Sequence, residues 1–450
     1  QEQQEEFLTE IDETIYEDRI SRFQWSGDFR SRYDYYSRER YTSANSTTTD
    51  KNDSLFTNRL RLNMRVMALE NVEFVGRLAM YKAWGMQNTP SDNTGYFFGG
   101  YPAIDGNSGR TPSDNKLLVD RAIVNWAGFG GSNFWFSVGR RPTTDGPPSQ
   151  LRLNNPSRMA TPVAYMDWPF DGATLGYAYD TLFGLADLPG RIRFCYGRGY
   201  EAGIDGVNPL NDTDFAGISW DIYNKNNRFV YLQSYVAMEV FNYPDISPML
   251  EQSPQFSAMF PNGRQNIGDI YHTSLLYMDK IQNFNYFING AWSRTDPDSN
   301  GMFNDPMAMM MMVSGPNTDS ENGYSIYVGG RFDIPKSNFK VGAEYNYGSE
   351  YWIGMSPGHD DMYASKLATR GHVYEVYGIY DLPGKAIANL GAASFRVGYQ
   401  HYRYNYTGSL DWNVKPYDID SAQDRGIATQ LGLLTVKSAD QVYVSFDVKF

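Results

Sequence analysis

Arginine is the residue type whose spacing in this sequence most clearly suggests chemistry. Arg30 and Arg32 are two residues apart, and the same spacing recurs further along the chain. The complete set is Arg22, Arg30, Arg32, Arg59, Arg61, Arg65 and Arg77. Guanidinium groups stay charged and bind carboxylates and phosphates through a planar fork, so a row of them would attract and filter anions. The alternative is an ordinary solvated face on which the arginines pair with Asp28 and Glu73.

A second group of charged residues lies in and around the segment Gly139-Arg-Arg-Pro-Thr-Thr-Asp-Gly-Pro-Pro148. Its basic members are Arg140, Arg141, Arg152 and Arg158, and the acidic residues nearby are Asp145, Asp167 and Asp171. Prolines stiffen this stretch, and unbroken loops of roughly thirty residues are usually functional or disordered. We expect the loop at about 142–170 to place its acids opposite the arginine row, where the resulting field would filter small polar solutes. The alternative is a rigid surface loop.

Alternating side chains indicate the elements that must hold these residues. Near the end of the chain, Val442, Val444, Phe446, Val448 and Phe450 alternate with Tyr443, Ser445, Asp447 and Lys449. A period of two is typical of a β-strand with one apolar and one polar face. In the arginine-bearing segments the polar face is too highly charged to contact lipid, so it must face a water-filled barrel interior. The five apolar residues are expected on the outer face of the strand that closes the barrel.

The connections between these segments alternate in length. Short connections are predicted near 70–72, 127–132, 184–190, 224–227, 280–283, 333–337 and 381–391. Long connections are predicted at about 37–54, 85–115, 142–170, 201–212, 243–267, 295–322, 353–369 and 407–440. This pattern predicts an all-β fold, a transmembrane antiparallel up-and-down barrel of 16 strands within a range of 14 to 18, with short periplasmic turns and long extracellular loops. Barrels of about 16–18 strands enclose an aqueous channel.

Composition excludes several other kinds of protein. Aromatic residues make up 16% of the chain, the net charge is −13, and Cys195 is the single cysteine. The acidic balance argues against a nucleic-acid partner, and one cysteine excludes an internal disulfide framework. No metal or other cofactor is expected. Residues 1–18 contain eight acidic residues and no basic one, which predicts an acidic periplasmic extension before a barrel at 19–450. The chain has the features of a mature protein whose secretion signal has been removed.

The terminal Phe strand, the 16-strand rhythm and the long third loop together resemble bacterial outer-membrane porins. The segment from Gly139 to Pro148 is similar to the abundant porins of metal-reducing anaerobic Gram-negative bacteria. The resemblance implies a passive diffusion channel for ions and small hydrophilic solutes in the outer membrane of a Gram-negative bacterium. It also implies contact with outer-membrane lipids and lipopolysaccharide, a homotrimer, and a third loop folded inward as a constriction. The compact third-loop motif of enterobacterial general porins is absent, which leaves the constriction residues open.

Two further motifs have alternative interpretations. Asp296, Asp298 and Asn300 match the first half of a calcium-binding loop, but Met307 stands where the bidentate acid is required. Either a calcium ion or a surface turn fits this segment. Met302 and the Met307–Met312 run are expected in an extracellular loop, where thioethers could bind Cu(I) or pack against the barrel mouth.

Two other functional classes compete with a channel. An outer-membrane enzyme would need a nucleophile beside a base, and His272 and His401 are on predicted strands without a Ser-His-Asp spacing or a Gly-x-Ser-x-Gly element. We therefore expect no enzymatic activity. A barrel that serves as a sheath or docking partner for an electron-transfer or surface protein is the third possibility. The chain has no Cys-x-x-Cys-His element, the motif that attaches haem. Any redox chemistry would therefore belong to the partner.

Overall fold

The structure is a computed structural model. It describes residues 23–85, 112, 115–141, 143, 145–156, 158, 160, 162–168, 170–181, 188–204, 207, 210–242, 265–356, 360–386 and 391–450. The acidic extension expected at 1–18, and Arg22, lie outside the described residues.

Sixteen antiparallel strands form one closed barrel in which each strand pairs with its neighbours in sequence. The strands are β1 Phe23–Tyr41, β2 Thr47–Leu69, β3 Val72–Ala83, β4 Leu118–Ala127, β5 Phe134–Arg141, β6 Phe170–Tyr179, β7 Gly190–Tyr200, β8 Thr213–Lys225, β9 Arg228–Phe241, β10 Asn266–Ile281, β11 Phe284–Pro297, β12 Asn322–Asp333, β13 Phe339–Gly348, β14 Gly371–Asp381, β15 Ala392–Tyr404 and β16 Val436–Lys449. The predicted fold class and strand number are confirmed.

Seven connections are short turns at one end of the barrel, and eight are loops at the other end. We number the loops L1 (42–46), L2 (84–117), L3 (142–169), L4 (201–212), L5 (242–265), L6 (298–321), L7 (349–370) and L8 (405–435). Short helices occur in L6 (α1, Pro306–Met310) and L8 (α2, Ala422–Gln430). Across the described part of the chain, no helix has the length and apolar character that spanning a membrane requires.

Two predicted loop boundaries were wrong. The first long loop, expected at 37–54, is mostly strand, because β1 and β2 stay paired up to Tyr41 and Thr47. Its Ser, Thr and Asn residues extend the hairpin, and Arg38 binds Asp50 at 2.9 Å within it. Similarly, β16 begins at Val436 inside the loop expected at 407–440. In both segments the two faces of the strand are polar. The alternation that identifies a strand is therefore missing, and the polar composition predicts a loop instead.

β16 closes the barrel by pairing with β1 from Asp28 opposite Lys449 to Ser37 opposite Asp440. Val442 and Val444 point outward and are exposed, whereas Tyr443 and Ser445 point inward and are buried. At the short-turn end Phe450 donates a backbone hydrogen bond to Gly27 at 3.0 Å. A Cβ atom on Gly27 would lie 2.6 Å from the Phe450 ring, so a larger residue here would have to displace that ring.

The core lies inside the barrel, because L3 and L7 fold into it. Tyr165 of L3 shares a hydrogen bond with Ser325 of β12 at 2.8 Å, and the Val163 N–H donates to Gln233 of β9 at 3.1 Å. Trp352 of L7 is fully buried in the same apolar cluster as Tyr165. A second cluster joins both loops to L6 and L8, with these buried members: Met166, Trp168, Met302, Phe303, Ile353, Met355 and Trp412. Apolar packing thus fixes two loops inside the barrel.

Candidate functional site: a charged cavity inside the barrel

A cavity of about 2080 Å³ occupies the part of the interior that L3 and L7 leave open. It reaches the short-turn end, where Asn226 and Leu382 line it. Its basic lining residues are Arg121, Arg141, Arg158, Arg191, Arg193, Lys280, Arg331, Lys340, Lys385 and Lys449. Its acidic lining residues are Asp28, Glu73, Asp221, Asp279 and Asp381. Basic groups thus outnumber acidic groups two to one along this wall.

Three cavity arginines have no acidic partner within 4 Å among the described residues: Arg121, Arg141 and Arg158. Arg141 is held against the wall by Thr174 at 2.5 Å and by the backbone oxygens of Ser137 and Gly172. Arg158 of L3 stacks over the Phe229 ring at 3.7 Å. These guanidinium groups keep charge available to a solute.

Three of the sequence-predicted arginines, Arg30, Arg32 and Arg59, are instead covered by L7. Asp360 of L7 accepts from Arg30 at 2.5 Å and from Arg59 at 3.3 Å, and its other oxygen lies 3.6 Å from Arg32. Arg396 of β15, at 3.3 Å, completes this group. We call Arg30, Arg32, Arg59 and Arg396 the four-arginine cluster. Burial alone would raise the pKa of Asp360, but the surrounding arginines, Arg30 first, hold it well below the usual range.

The other described arginines of the predicted row, Arg61, Arg65 and Arg77, are also paired. Arg61 binds Asp28 at 2.8 Å and Asp145 of L3 at 2.6 Å. Arg65 binds Glu73 at 2.5 Å, and Arg77 binds Asp120. The expectation of an open arginine wall therefore needs correction, because acids from L3 and L7 neutralise much of it.

L3 and L7 are also joined to β13 and β14 by buried ion pairs. Arg152 of L3 binds Asp361 at 2.6 Å and Glu375 at 3.2 Å. Lys366 of L7 binds Glu375 at 2.5 Å and also contacts Glu344. Burial lowers the pKa of Arg152, but Glu375 and Asp361 raise it well above its ordinary value. Arg152 and Lys366 thus each have an acid beside them, as buried charges generally require.

Arg140 and Asp171 do not lie where the sequence suggested. They are opposite each other in the β5–β6 register, 3.4 Å apart. Ser137 and Arg141 on β5 and Thr174 on β6 line the cavity. Arg140 and Asp171 are an odd number of positions from these residues on their strands, so their side chains occupy the outer face. Asp167 is buried in L3, and its N–H donates to Met355 of L7 at 2.7 Å. Of the three predicted acids, Asp145 is the one that contacts the arginine row.

Sequence reasoning named the cavity arginines Arg141 and Arg158 but missed Asp360, Lys366 and the other cavity arginines, which are Arg121, Arg191, Arg193 and Arg331. Arg191 and Arg193 alternate with Ile192 and Phe194, a signal that could have found them. The sequence does not indicate the direction of Arg121, because the β3–β4 pairing is interrupted by a register shift next to its partner Arg77. Nothing in the local pattern of L7 indicates that Asp360 turns inward.

The structure also describes the surroundings of the candidate histidines and of the calcium-like segment. His272 is buried among Tyr165, Tyr235 and Trp352, and His401 binds Asp440 at 2.8 Å on the outer face. Asp298 accepts from the Asn300 N–H at 2.6 Å, which makes the calcium-like segment a turn. Among described His, Cys, Asp and Glu residues, no group of three could hold a metal ion. Met311 and Met312, after α1, are exposed.

Residues 49–450 match the model of a family described as "Protein of unknown function (DUF3373)". No curated protein is similar enough to the chain to count as a match. Solved structures with a similar fold include an anion-selective porin from Comamonas acidovorans, with 9% identity, 95% of this chain and 99% of that chain covered, and a TM-score of 0.48. Salmonella typhi OmpF in complex with daunomycin shows 11% identity, 95% and 97% coverage, and a TM-score of 0.44. OmpTdeltaL8, an outer membrane protein of Vibrio cholerae, shows 10% identity, 95% and 99% coverage, and a TM-score of 0.42.

Proposed function

The chain belongs to the family described as "Protein of unknown function (DUF3373)". From the geometry of its barrel we propose that it is an outer-membrane channel for small hydrophilic solutes, with a preference for anions. The observation that carries this proposal is the cavity of about 2080 Å³ inside a closed 16-strand barrel. Barrels of this strand number are wide enough for an aqueous channel.

The outer surface supports the membrane location. Exposed apolar side chains cover the outer face of β15 and β16, for example Phe395, Val397, Val442 and Val444. Tyr374 and Tyr399 follow them toward the loop end. Apolar bands bordered by aromatic rings are typical of lipid-facing barrel surfaces. The loop end would then face the exterior and the short-turn end the periplasm.

We assign the two parts of the interior different roles in this proposal. L3 and L7 narrow the lumen, and the predicted arginine row serves mainly to anchor these loops. Selectivity comes from the cavity arginines without acidic partners, Arg121, Arg141 and Arg158. Fixed charges on a pore wall favour counter-ions, and the effect weakens as salt screens them.

Reversal potentials across planar bilayers in a potassium chloride gradient test this proposal. We expect the conductance to rise in stable ohmic steps. The reversal potential should have the sign that a preference for chloride over potassium produces. Arg121→Glu combined with Arg141→Glu should shift the potential toward cation preference. Arg140→Glu, which makes one such charge reversal on the outer face, is the control, and Arg141→Glu alone is the cavity variant with the same change in net charge. A purified, folded barrel that conducts no ions would refute the channel, and an unchanged potential in the double variant would refute the filter.

The homotrimer that the resemblance to porins implies is part of the proposal. Light scattering on the detergent-solubilised protein, with the detergent mass subtracted, measures the number of chains. A mass of one chain would contradict it.

A further inference from the structure

Asp360 lies in an unusual charge environment for a loop carboxylate. Its two oxygens face the four-arginine cluster, with nitrogen–oxygen distances of 2.5 Å to Arg30, 3.3 Å to Arg59, 3.3 Å to Arg396 and 3.6 Å to Arg32. The Arg59 side chain is 11% exposed, and the other four side chains are at most 4% exposed. Arginine groups gathered around one small anion are typical of sites that bind phosphate or carboxylate groups.

The cluster also has more hydrogen-bond donors than its protein acceptors satisfy. The Nε–H groups of Arg30, Arg59 and Arg396 are buried and have no hydrogen-bond partner among the described residues. Buried donors without an acceptor are costly and call for an explanation. A carboxylate has two oxygens, whereas a tetrahedral oxyanion presents more acceptor atoms to the same donors.

The arginines and their acid come from different parts of the molecule. The four arginines belong to barrel strands β1, β2 and β15, whereas Asp360 belongs to L7. The cluster borders the cavity, because Asp28, two residues before Arg30 on the inner face of β1, lines that cavity and binds Arg59 at 3.1 Å. Two residues along a strand span roughly 7 Å, so an anion in the cavity comes close to the cluster.

We propose that the four-arginine cluster is a binding site for a small oxyanion such as inorganic phosphate, and that Asp360 of L7 occupies it as an internal competitor. In this arrangement L7 is held in the barrel by the same contacts that a bound oxyanion would make. An oxyanion that replaces Asp360 releases this part of L7 from the wall. The binding site stands on the cluster geometry, whereas its effect on conduction rests on the proposed channel.

Asp360→Ala tests the site directly, because it removes the competing carboxylate and leaves space for a small anion. The measurement is calorimetric titration of the detergent-solubilised full chain with inorganic phosphate at constant ionic strength. We expect Asp360→Ala to bind phosphate at least tenfold more tightly than the wild type. Asp360→Glu, which retains the charge, should show no such gain. Asp171→Ala, which removes a carboxylate from the outer face, is the matched control and should behave as the wild type.

Equal phosphate affinity in Asp360→Ala and wild type would overturn the proposal. If Asp360→Ala folds only in buffer that contains phosphate, this requirement itself supports the site, since a ligand of the native state stabilises that state. Failure to fold with or without phosphate would count against it. Binding is measured without any ion flow, so a barrel that binds phosphate but does not conduct separates this inference from the proposed function.

Discussion

Asp411 is a buried carboxyl group in L8 with an unusual proton affinity. Its Oδ1 atom accepts from the N–H groups of Asn413 at 2.7 Å and Val414 at 2.9 Å. Burial raises the pKa of Asp411 from 3.8 to about 7, although Arg370 and these two N–H groups lower it. The folded protein therefore holds this proton more tightly than the unfolded chain does. Its contribution to stability is complete below about pH 3.8 and is lost as the pH rises through about 7.

Asp411→Asn should reduce this pH dependence, because the amide oxygen can still accept from both N–H groups but carries no titrating proton. We expect the unfolding temperature of the variant to fall less between pH 5 and pH 8 than that of the wild type. Thermal unfolding in detergent, followed by circular dichroism, measures the difference. Parallel curves for the two proteins would show that another group governs this range.

Cys195 offers a chemical probe of the cavity, since it is the single cysteine of the chain and lines the cavity wall. Its sulfur accepts a weak hydrogen bond from Thr174, whose hydroxyl also contacts Arg141. Sulfonatoethyl methanethiosulfonate would attach a negative group there. We expect it to lower single-channel conductance and anion preference when added at the short-turn side. Cys195→Ser should be unaffected by the reagent; a wild type equally unaffected would place Cys195 away from the ion path.

At the scale of single residues, sequence predicted the inward direction of Arg30, Arg32 and Arg59 but misplaced Arg140, and it did not predict what these residues contact. The alternation of Arg30 and Arg59 with apolar neighbours sets their direction. Their shared partner Asp360 is separated from Arg30 by 330 positions, and its loop has no periodic pattern. Ion pairs between a strand and a distant loop depend on how the loop packs, which local spacing does not record.

L7 is an element that buried ion pairs help to hold in position. Lys366 binds Glu375 at 2.5 Å and contacts Glu344, and all three side chains are about 1% exposed. Lys366→Met would leave two carboxylates close together without this cation. Removing one partner of a buried ion pair commonly costs about 3–5 kcal/mol.

We therefore expect Lys366→Met to loosen L7, which would increase single-channel conductance and expose Arg370 to trypsin. In the wild type Arg370 is fully buried and should resist cleavage. Lys437→Met, which removes a half-exposed partner of Glu39 at 3.0 Å, is the matched control and should behave as the wild type. Resistance of Lys366→Met to trypsin, with unchanged conductance, would mean that the remaining contacts of L7 hold it without Lys366.

Elements were predictable to different degrees for physical reasons. A strand with one lipid-facing side must alternate, so the 16 strands could be read from their side chains. The β1–β2 extension was misjudged because beyond the membrane both faces meet water and the alternation disappears. Arg140 and Asp171 were assigned inward for a related reason, since they lie where strands pass into L3.

For the whole molecule, closure depends on the contact between the first and last strands. Gly27→Val should weaken it, because a Cβ atom there would lie 2.6 Å from the Phe450 ring and 3.0 Å from the Arg61 carbonyl oxygen. Gly290→Val is the control, since Gly290 has no atom within 4 Å of the corresponding position. We expect a smaller folded fraction for Gly27→Val, measured by the mobility of unheated samples on gels. Equal folded fractions would show that Phe450 moves aside at little cost.

Closure also sets an order of events in folding. Arg30 and Arg59 come from the first two strands, while Arg396 comes from the fifteenth. These residues become neighbours only after almost the whole chain has been inserted, so Asp360 has no complete set of partners in a half-built barrel. Contacts between residues so far apart in sequence carry a large loop-closure entropy and form slowly. Docking of Asp360 is therefore a late step, and the time course of Arg370 protection from trypsin would report the moment at which assembly ends.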